Sequence, residues 1–176
     1  MKLFKYFLIL FALVVVFVGV SRFFPHTYYV KRTVEINKPV DSVYTFMANL
    51  HNWPSWSLWN TTTDSTLKVF YNQRLTGLGA RQYFHGNLIG EGRFEINVYE
   101  PNKTVGYNLY LNQGEAMANG RFIFETTNHK TTLHWVDSGD VGNNPLFRYM
   151  LASKVSSTEK TFDEGLLRIK GVLESR

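Results

Sequence analysis

A chain of 176 residues, 44% hydrophobic and 16% aromatic, carries enough apolar material for one compact core, and its lack of cysteine excludes disulfide scaffolds, cysteine-bound zinc and thiol nucleophiles. The net charge of +5 points towards nucleic acid until the charges are placed: Lys2, Lys5 and Arg22 flank an apolar run, and without them sixteen bases face fourteen acids. A nearly neutral domain of mixed charge is poorly suited to neutralising a phosphate backbone, so nucleic acid is set aside as a partner.

Residues Tyr6 to Val20 form an uncharged run of Phe, Leu, Ile and Val. Extended from Leu3 to Phe24, the run covers about 33 Å as a helix at ~1.5 Å per residue, against a hydrocarbon core of ~30 Å. Residues 1–24 therefore read as a single-pass membrane anchor with Lys5 and Arg22 snorkelling at its ends. A cleaved secretory signal and a buried core helix are the rivals, and Val18-Gly19-Val20-Ser21 is a weak match to a cleavage site. The basic N-terminus favours the inside, which places the domain at 28–176 on the periplasmic or extracellular side.

After Pro25-His26-Thr27, the alternation from Tyr28 to Ile36 predicts a strand with Val30, Val34 and Ile36 on one face. Pro39 and Asp41 open a helix expected to run through about Leu50. The stretch His51 to Trp59 is broken by Pro54 and holds three of the four tryptophans. Six strands follow, around Leu67–Tyr71, Ala80–His85, Phe94–Val98, Val105–Leu111, Phe122–Phe124 and Leu133–Trp135. Short turns join them, so they form an antiparallel meander. Asp137-Ser138-Gly139-Asp140 reads as the loop that ends the last strand. From Pro145 to about Leu173, apolar residues recur every three or four positions and predict a long amphipathic helix.

In order along the chain, Val34-Glu35-Ile36-Asn37-Lys38-Pro39-Val40 with Val43-Tyr44, Asn52-Trp53, Trp56-Ser57-Leu58-Trp59, Gly90-Glu91-Gly92, Thr132-Leu133-His134-Trp135 and Gly165-Leu166-Leu167-Arg168-Ile169-Lys170 resemble the helix-grip proteins of the SRPBCC superfamily, the START-related and polyketide-cyclase-like group. The resemblance covers Tyr28 to Leu173. It implies an α+β helix-grip fold, in which an antiparallel sheet of about seven strands wraps around the long C-terminal helix, here preceded by one N-terminal transmembrane helix. It also implies a hydrophobic cavity between sheet and helix that in relatives holds lipids, sterols or polyketides. It supplies no reaction, because members range from carriers to cyclases.

The clustered tryptophans either cover one end of the core or line the mouth of that cavity, and Trp56 and Trp59 are expected over the mouth. Met150, Phe162, Leu166 and Ile169 of the last helix are expected against an inward row of Phe94, Tyr107, Phe124 and Trp135. Gly165 inside the helix suits close approach to the sheet or room for a ligand. Strand parity sends His134, Glu95 and Asn97 outward and leaves His85, with Tyr83 on the same face, as the inward-facing candidates for acid–base work. No histidine spacing marks a metal site, and no phosphate or dinucleotide motif or nucleophile elbow appears, so neither metal nor cofactor is expected. The leading expectation is a monomeric, membrane-anchored module that binds an apolar small molecule such as a lipid, isoprenoid or polyketide-like compound. The alternatives are a cyclase or isomerase using His85 or Tyr83, and a structural or interaction module with a filled core.

Overall fold

Alternation of apolar and polar residues sets the sheet. In the computed structural model, which describes residues 2–111 and 116–175, the strands are β1 (Thr27–Ile36), β2 (Lys68–Tyr71), β3 (Arg81–Gly86), β4 (Gly90–Glu100), β5 (Thr104–Leu111), β6 (Ala116–Thr127) and β7 (Lys130–Asp140). Among the described residues they form one antiparallel sheet in the order β1-β7-β6-β5-β4-β3-β2. Strands β2 to β7 are thus a meander, and β1 closes onto the last of them. The register lines up inward-facing residues across the strands. Val105, Phe122, Trp135 and Arg32 make one row, and Ile96, Tyr107, Gly120, Asp137 and Val30 make the next.

Two helical segments cover one end of this face. Helix α2 (Val40–Met47) starts at Pro39 and buries Val43, Tyr44, Phe46 and Met47. It stops earlier than its apolar spacing predicts, because the Asn49 side chain accepts from His51 N and starts a 3-10 helix, Leu50–Ser55, that accommodates Pro54. Trp53 is fixed there by an Nε1–H bond to Met47 O, 2.8 Å, and its ring lies among Trp56, Phe94, Tyr107 and Phe122.

The long C-terminal helix, α3 (Pro145–Glu174), begins with Asn144 accepting from Leu146 N and Pro145 in its first turn. It buries Leu151, Phe162, Gly165, Leu166, Ile169 and Leu173 against the sheet. Arg32 of β1 reaches Glu159 and Asp163 of α3 at 3.1 and 3.2 Å. This exposed network links α3 to β1 but is worth little energy.

Helix α1 (Lys2–Ser21) is the one helix among the described residues long and apolar enough to cross a membrane, with a mean hydropathy of 2.7 from Leu3 to Ser21. It is exposed along its apolar length, which rules out a core helix, and its length and composition suit a membrane span or a signal sequence. Its C-terminal end is joined to α3. Tyr149 Oη donates to Phe17 O at 2.8 Å, the Tyr149 ring packs on Phe17 and Phe24, and Arg148 bonds Ser21 O.

One buried acid holds the far edge of the sheet. Asp64 Oδ1 accepts from Thr66 N and Oγ1, and Oδ2 accepts from Leu88 N and Ile89 N at the β3–β4 turn. The Thr66 hydroxyl, then these backbone amides, hold the Asp64 carboxyl well below the usual range. A depressed folded-state pKa gives stability that is present above the unfolded pKa of about 4 and lost as pH falls below it. Asp64→Asn is therefore expected to melt below the wild type at pH 7, with the gap closing as pH falls from about 5 towards 2. A gap independent of pH would show that the charge is not what holds the turn.

Candidate functional site

Between the sheet and the middle of α3 lies a cavity of about 210 Å³. Its sheet wall is Phe94, Tyr107, Leu109, Ala118, Trp135 and Asp137. Its helix wall is Ser157, Thr158, Thr161 and Phe162, and Leu58 and Trp59 close one side. The half-buried Leu58, Trp59, Thr158 and Thr161 and the exposed Ser157 form the rim. The volume is below the ~300 Å³ at which drug-sized pockets begin, so the cavity suits a ring system or a short chain.

Trp135 organises the walls. Its indole stacks on Phe162 with centroids 3.9 Å apart and planes 9° apart, packs against Phe122 and Trp56, and donates from Nε1 to Tyr107 Oη at 2.9 Å. Gly165, one turn after Phe162, lies over the indole edge, and a Cβ there would fall 2.6 Å from Trp135 Cζ3. Of the two uses expected for this glycine, close approach to the sheet is the one realised. Across the sheet, Gly120 leaves the space that the Tyr107 hydroxyl occupies.

Asp137 is the one charged residue in this lining. It is 5% exposed; Tyr28 Oη donates to Oδ2 at 3.3 Å, and Oδ1 has no partner. Burial pushes the Asp137 carboxyl up, opposed by the Tyr28 hydroxyl and the Lys154 charge. The Asn119 and Ser138 amides lie near enough to favour the charged form, yet neither donates to Oδ1 within hydrogen-bond geometry. Tyr28 is in turn pushed up to about 12 by burial and by the Asp137 charge. A buried acceptor without a partner costs about 1–3 kcal/mol, a cost that a bound hydrogen-bond donor would offset.

Asp137 does not stand out in the sequence as a site residue, because Asp-Ser-Gly-Asp has the composition of a turn. Pairing with β1 carries β7 through these residues, with Tyr28 opposite Gly139 and Thr27 opposite Asp140. The signal was nevertheless there, since the parity that points Leu133 and Trp135 inward points Asp137 inward too.

Of the residues expected at the site, Trp59, Phe94, Tyr107, Trp135 and Phe162 border the cavity. Trp56 does not lie at the mouth. It is buried behind Trp135 and Phe122, with Nε1 unpartnered. Phe124 packs under α2 against Tyr44, and Leu166 is buried in the core, both away from the lining. Met150 is 62% exposed on the opposite side of α3, because the stripe that meets the core passes through Leu151 instead. Tyr83 and His85 point the other way from the expectation. The register pairs Gln82 with Phe94 and turns Gln82 and Phe84 inward, leaving the His85 side chain 65% exposed. They border a hollow on the sheet's outer face with Glu91 and Arg93 and cannot touch a molecule held between sheet and α3. His134 does face outward, packed between Thr33 and Glu125. Among the described residues no group of three His, Asp or Glu is placed to hold a metal ion.

Residues 28–174 match the family described as "Polyketide cyclase / dehydrase and lipid transport". No curated protein matches the chain. Among solved structures, the Aha1 dimer from Colwellia psychrerythraea is 17% identical, covers 84% of this chain and 96% of its own, and has a TM-score of 0.60. Protein MLL2253 from Mesorhizobium loti is 18% identical, with 85% and 97% covered and a TM-score of 0.59. Ara h 8.0201 is 11% identical, with 85% and 99% covered and a TM-score of 0.60. At these identities the likeness is one of fold.

The contact between Gly165 and Trp135 sets a paired test. Gly165→Ala gains helix propensity worth about 1 kcal/mol, but overpacks a ring held on three sides, at about 1–3 kcal/mol. A Cβ at Gly171 would meet nothing within 4 Å. Thermal melts should place Gly165→Ala below the wild type and Gly171→Ala above it. A rise in both would mean that the Trp135 ring yields freely.

Proposed function

Because the chain belongs to the polyketide cyclase / dehydrase and lipid transport family, in the SRPBCC superfamily, we propose that it is a membrane-anchored module that binds an apolar molecule carrying one O–H or N–H donor in the cavity between sheet and α3. The observation that carries this reading is the lining itself, aromatic walls with Asp137, whose Oδ1 has no partner, as the one charged residue among them. The walls offer shape and hydrophobic burial, and Asp137 Oδ1 offers one acceptor that fixes orientation. Anchoring rather than cleavage is favoured by the joint with α3, because Ser21 is buried beneath Arg148 and removal of α1 would uncover Tyr149 and Arg148. Binding rather than turnover is favoured because Tyr83 and His85 lie outside the cavity.

A probe series on the full chain in lipid nanodiscs tests this. Thermal shift and tryptophan fluorescence are measured with naphthalene, 2-methoxynaphthalene and 2-naphthol. The wild type should bind all three and prefer 2-naphthol to its methyl ether by about tenfold, the worth of one hydrogen bond to a buried carboxyl group. Asp137→Leu should erase the preference, Phe162→Ala should weaken all three, and Tyr83→Ala and His85→Ala should change nothing. Equal affinity for naphthol and ether would remove the role given to Asp137, and binding of none would remove the cavity reading.

A further inference from the structure

A second, larger apolar space runs along the flank of α3 that faces the end of β7. The stripe Phe147, Met150, Lys154 and Ser157, with Ser153, makes one wall of a groove of about 630 Å³, and Asp140 and Val141 make the other. These positions recur at three or four residues, so the groove follows the helix axis, and ten residues from Phe147 to Ser157 span about 15 Å. Two observations say what lies at each end.

At the upper end is α1. Tyr149 bonds and stacks on Phe17, four residues before the end of α1, so the first turns of α3 stand beside the last turn of the apolar helix. Leu146, Phe147 and Met150 are exposed there by 60, 55 and 62%. Large apolar side chains grouped beside an apolar span suit the bilayer interface. At the lower end, Ser157 lines both the groove and the interior cavity, so the two spaces adjoin at one small side chain. Lys154 Nζ lies over the Tyr28 ring at 4.8 Å, leaving its methylene stem as apolar wall.

The groove length also matches a ligand. A hydrocarbon core of ~30 Å is two chain lengths deep, so ~15 Å is the length of one lipid tail. We infer that the groove holds the tail of the ligand whose donor group sits at Asp137, which makes that ligand a single-chain lipid alcohol or amine, taken from the bilayer with its polar end leading. This rests on the anchored, ligand-binding reading above. The polar end passes Ser157 into the cavity, and the tail stays in the groove with its terminus among Leu146, Phe147 and Met150.

Photo-crosslinking maps this polarity. The full chain in nanodiscs is irradiated with hexadecan-1-ol carrying a diazirine either next to the hydroxyl end or near the terminal methyl, and labelled peptides are read by mass spectrometry. The hydroxyl-end probe should label Trp135 and Phe162, and the methyl-end probe should label residues 146–150. Ser157→Phe should abolish cavity labelling by the first probe and spare labelling of α1. Reversed labelling, labelling of α1 alone, or cavity labelling that survives Ser157→Phe would each overturn the route. If 2-naphthol still binds in those cases, the cavity reading stands and only the tail assignment fails.

Discussion

The stacking of Trp135 on Phe162 is the contact on which the arrangement of sheet and helix rests. It fixes the height of α3 above the sheet, and that height is tolerable only because position 165 has no side chain to collide with the same ring. The indole N–H in turn satisfies Tyr107, and Tyr107 takes the room left by Gly120. A chain of close contacts therefore runs from the middle of α3 through β7 and β6 to β5. The cavity is what remains where this chain stops, between the edge of the stacked pair and the rim at Trp59.

Polar groups inside an aromatic core are expensive, and this core holds several. Tyr107 is buried with its pKa driven up by burial, and Asp137 is buried beside it with one oxygen unpartnered. A protein under selection for stability alone would replace Asp137 with an apolar residue of similar size. Asp64 is a contrasting case. It is as deeply buried, yet four donors surround it and its charge serves the fold. The difference between the two acids lies in the number of partners each has.

Much of the fold was legible because its signals are local. Period-two alternation gave the strands, the Pro39 and Pro145 starts gave the helices, and the order of motifs along the chain gave the superfamily. The site was half legible. Phe94, Tyr107 and Trp135 follow from parity within single strands, whereas Tyr83 and His85 were placed on the wrong face because Arg81–Gly86 has aromatic or polar residues in both phases. There, the pairing with β4 decides which phase is buried. Asp137 escapes notice for the same reason in another form, since the strand that carries it is set by pairing with Gly120 of β6 and Val30 of β1 and not by its own composition. Trp56 and Trp59 are three residues apart and look alike in the sequence; the irregular backbone after the 3-10 helix sends one into the core and the other to the rim.

The joint between α1 and α3 bears on how such a domain would meet its ligand. The link from Arg22 to His26 is short, and it is pinned again where Val141 N donates to His26 O and where His26 meets Asp140. With α1 in a bilayer, the domain is no tethered head sweeping out a volume. It would stand at one height and one attitude, free only to rotate about the membrane normal and to drift in the plane. Encounter with a membrane-borne ligand would then become a two-dimensional search, governed by that ligand's mole fraction in the leaflet and not by its concentration in water. A soluble partner receiving the ligand would have to come to the membrane surface to do so.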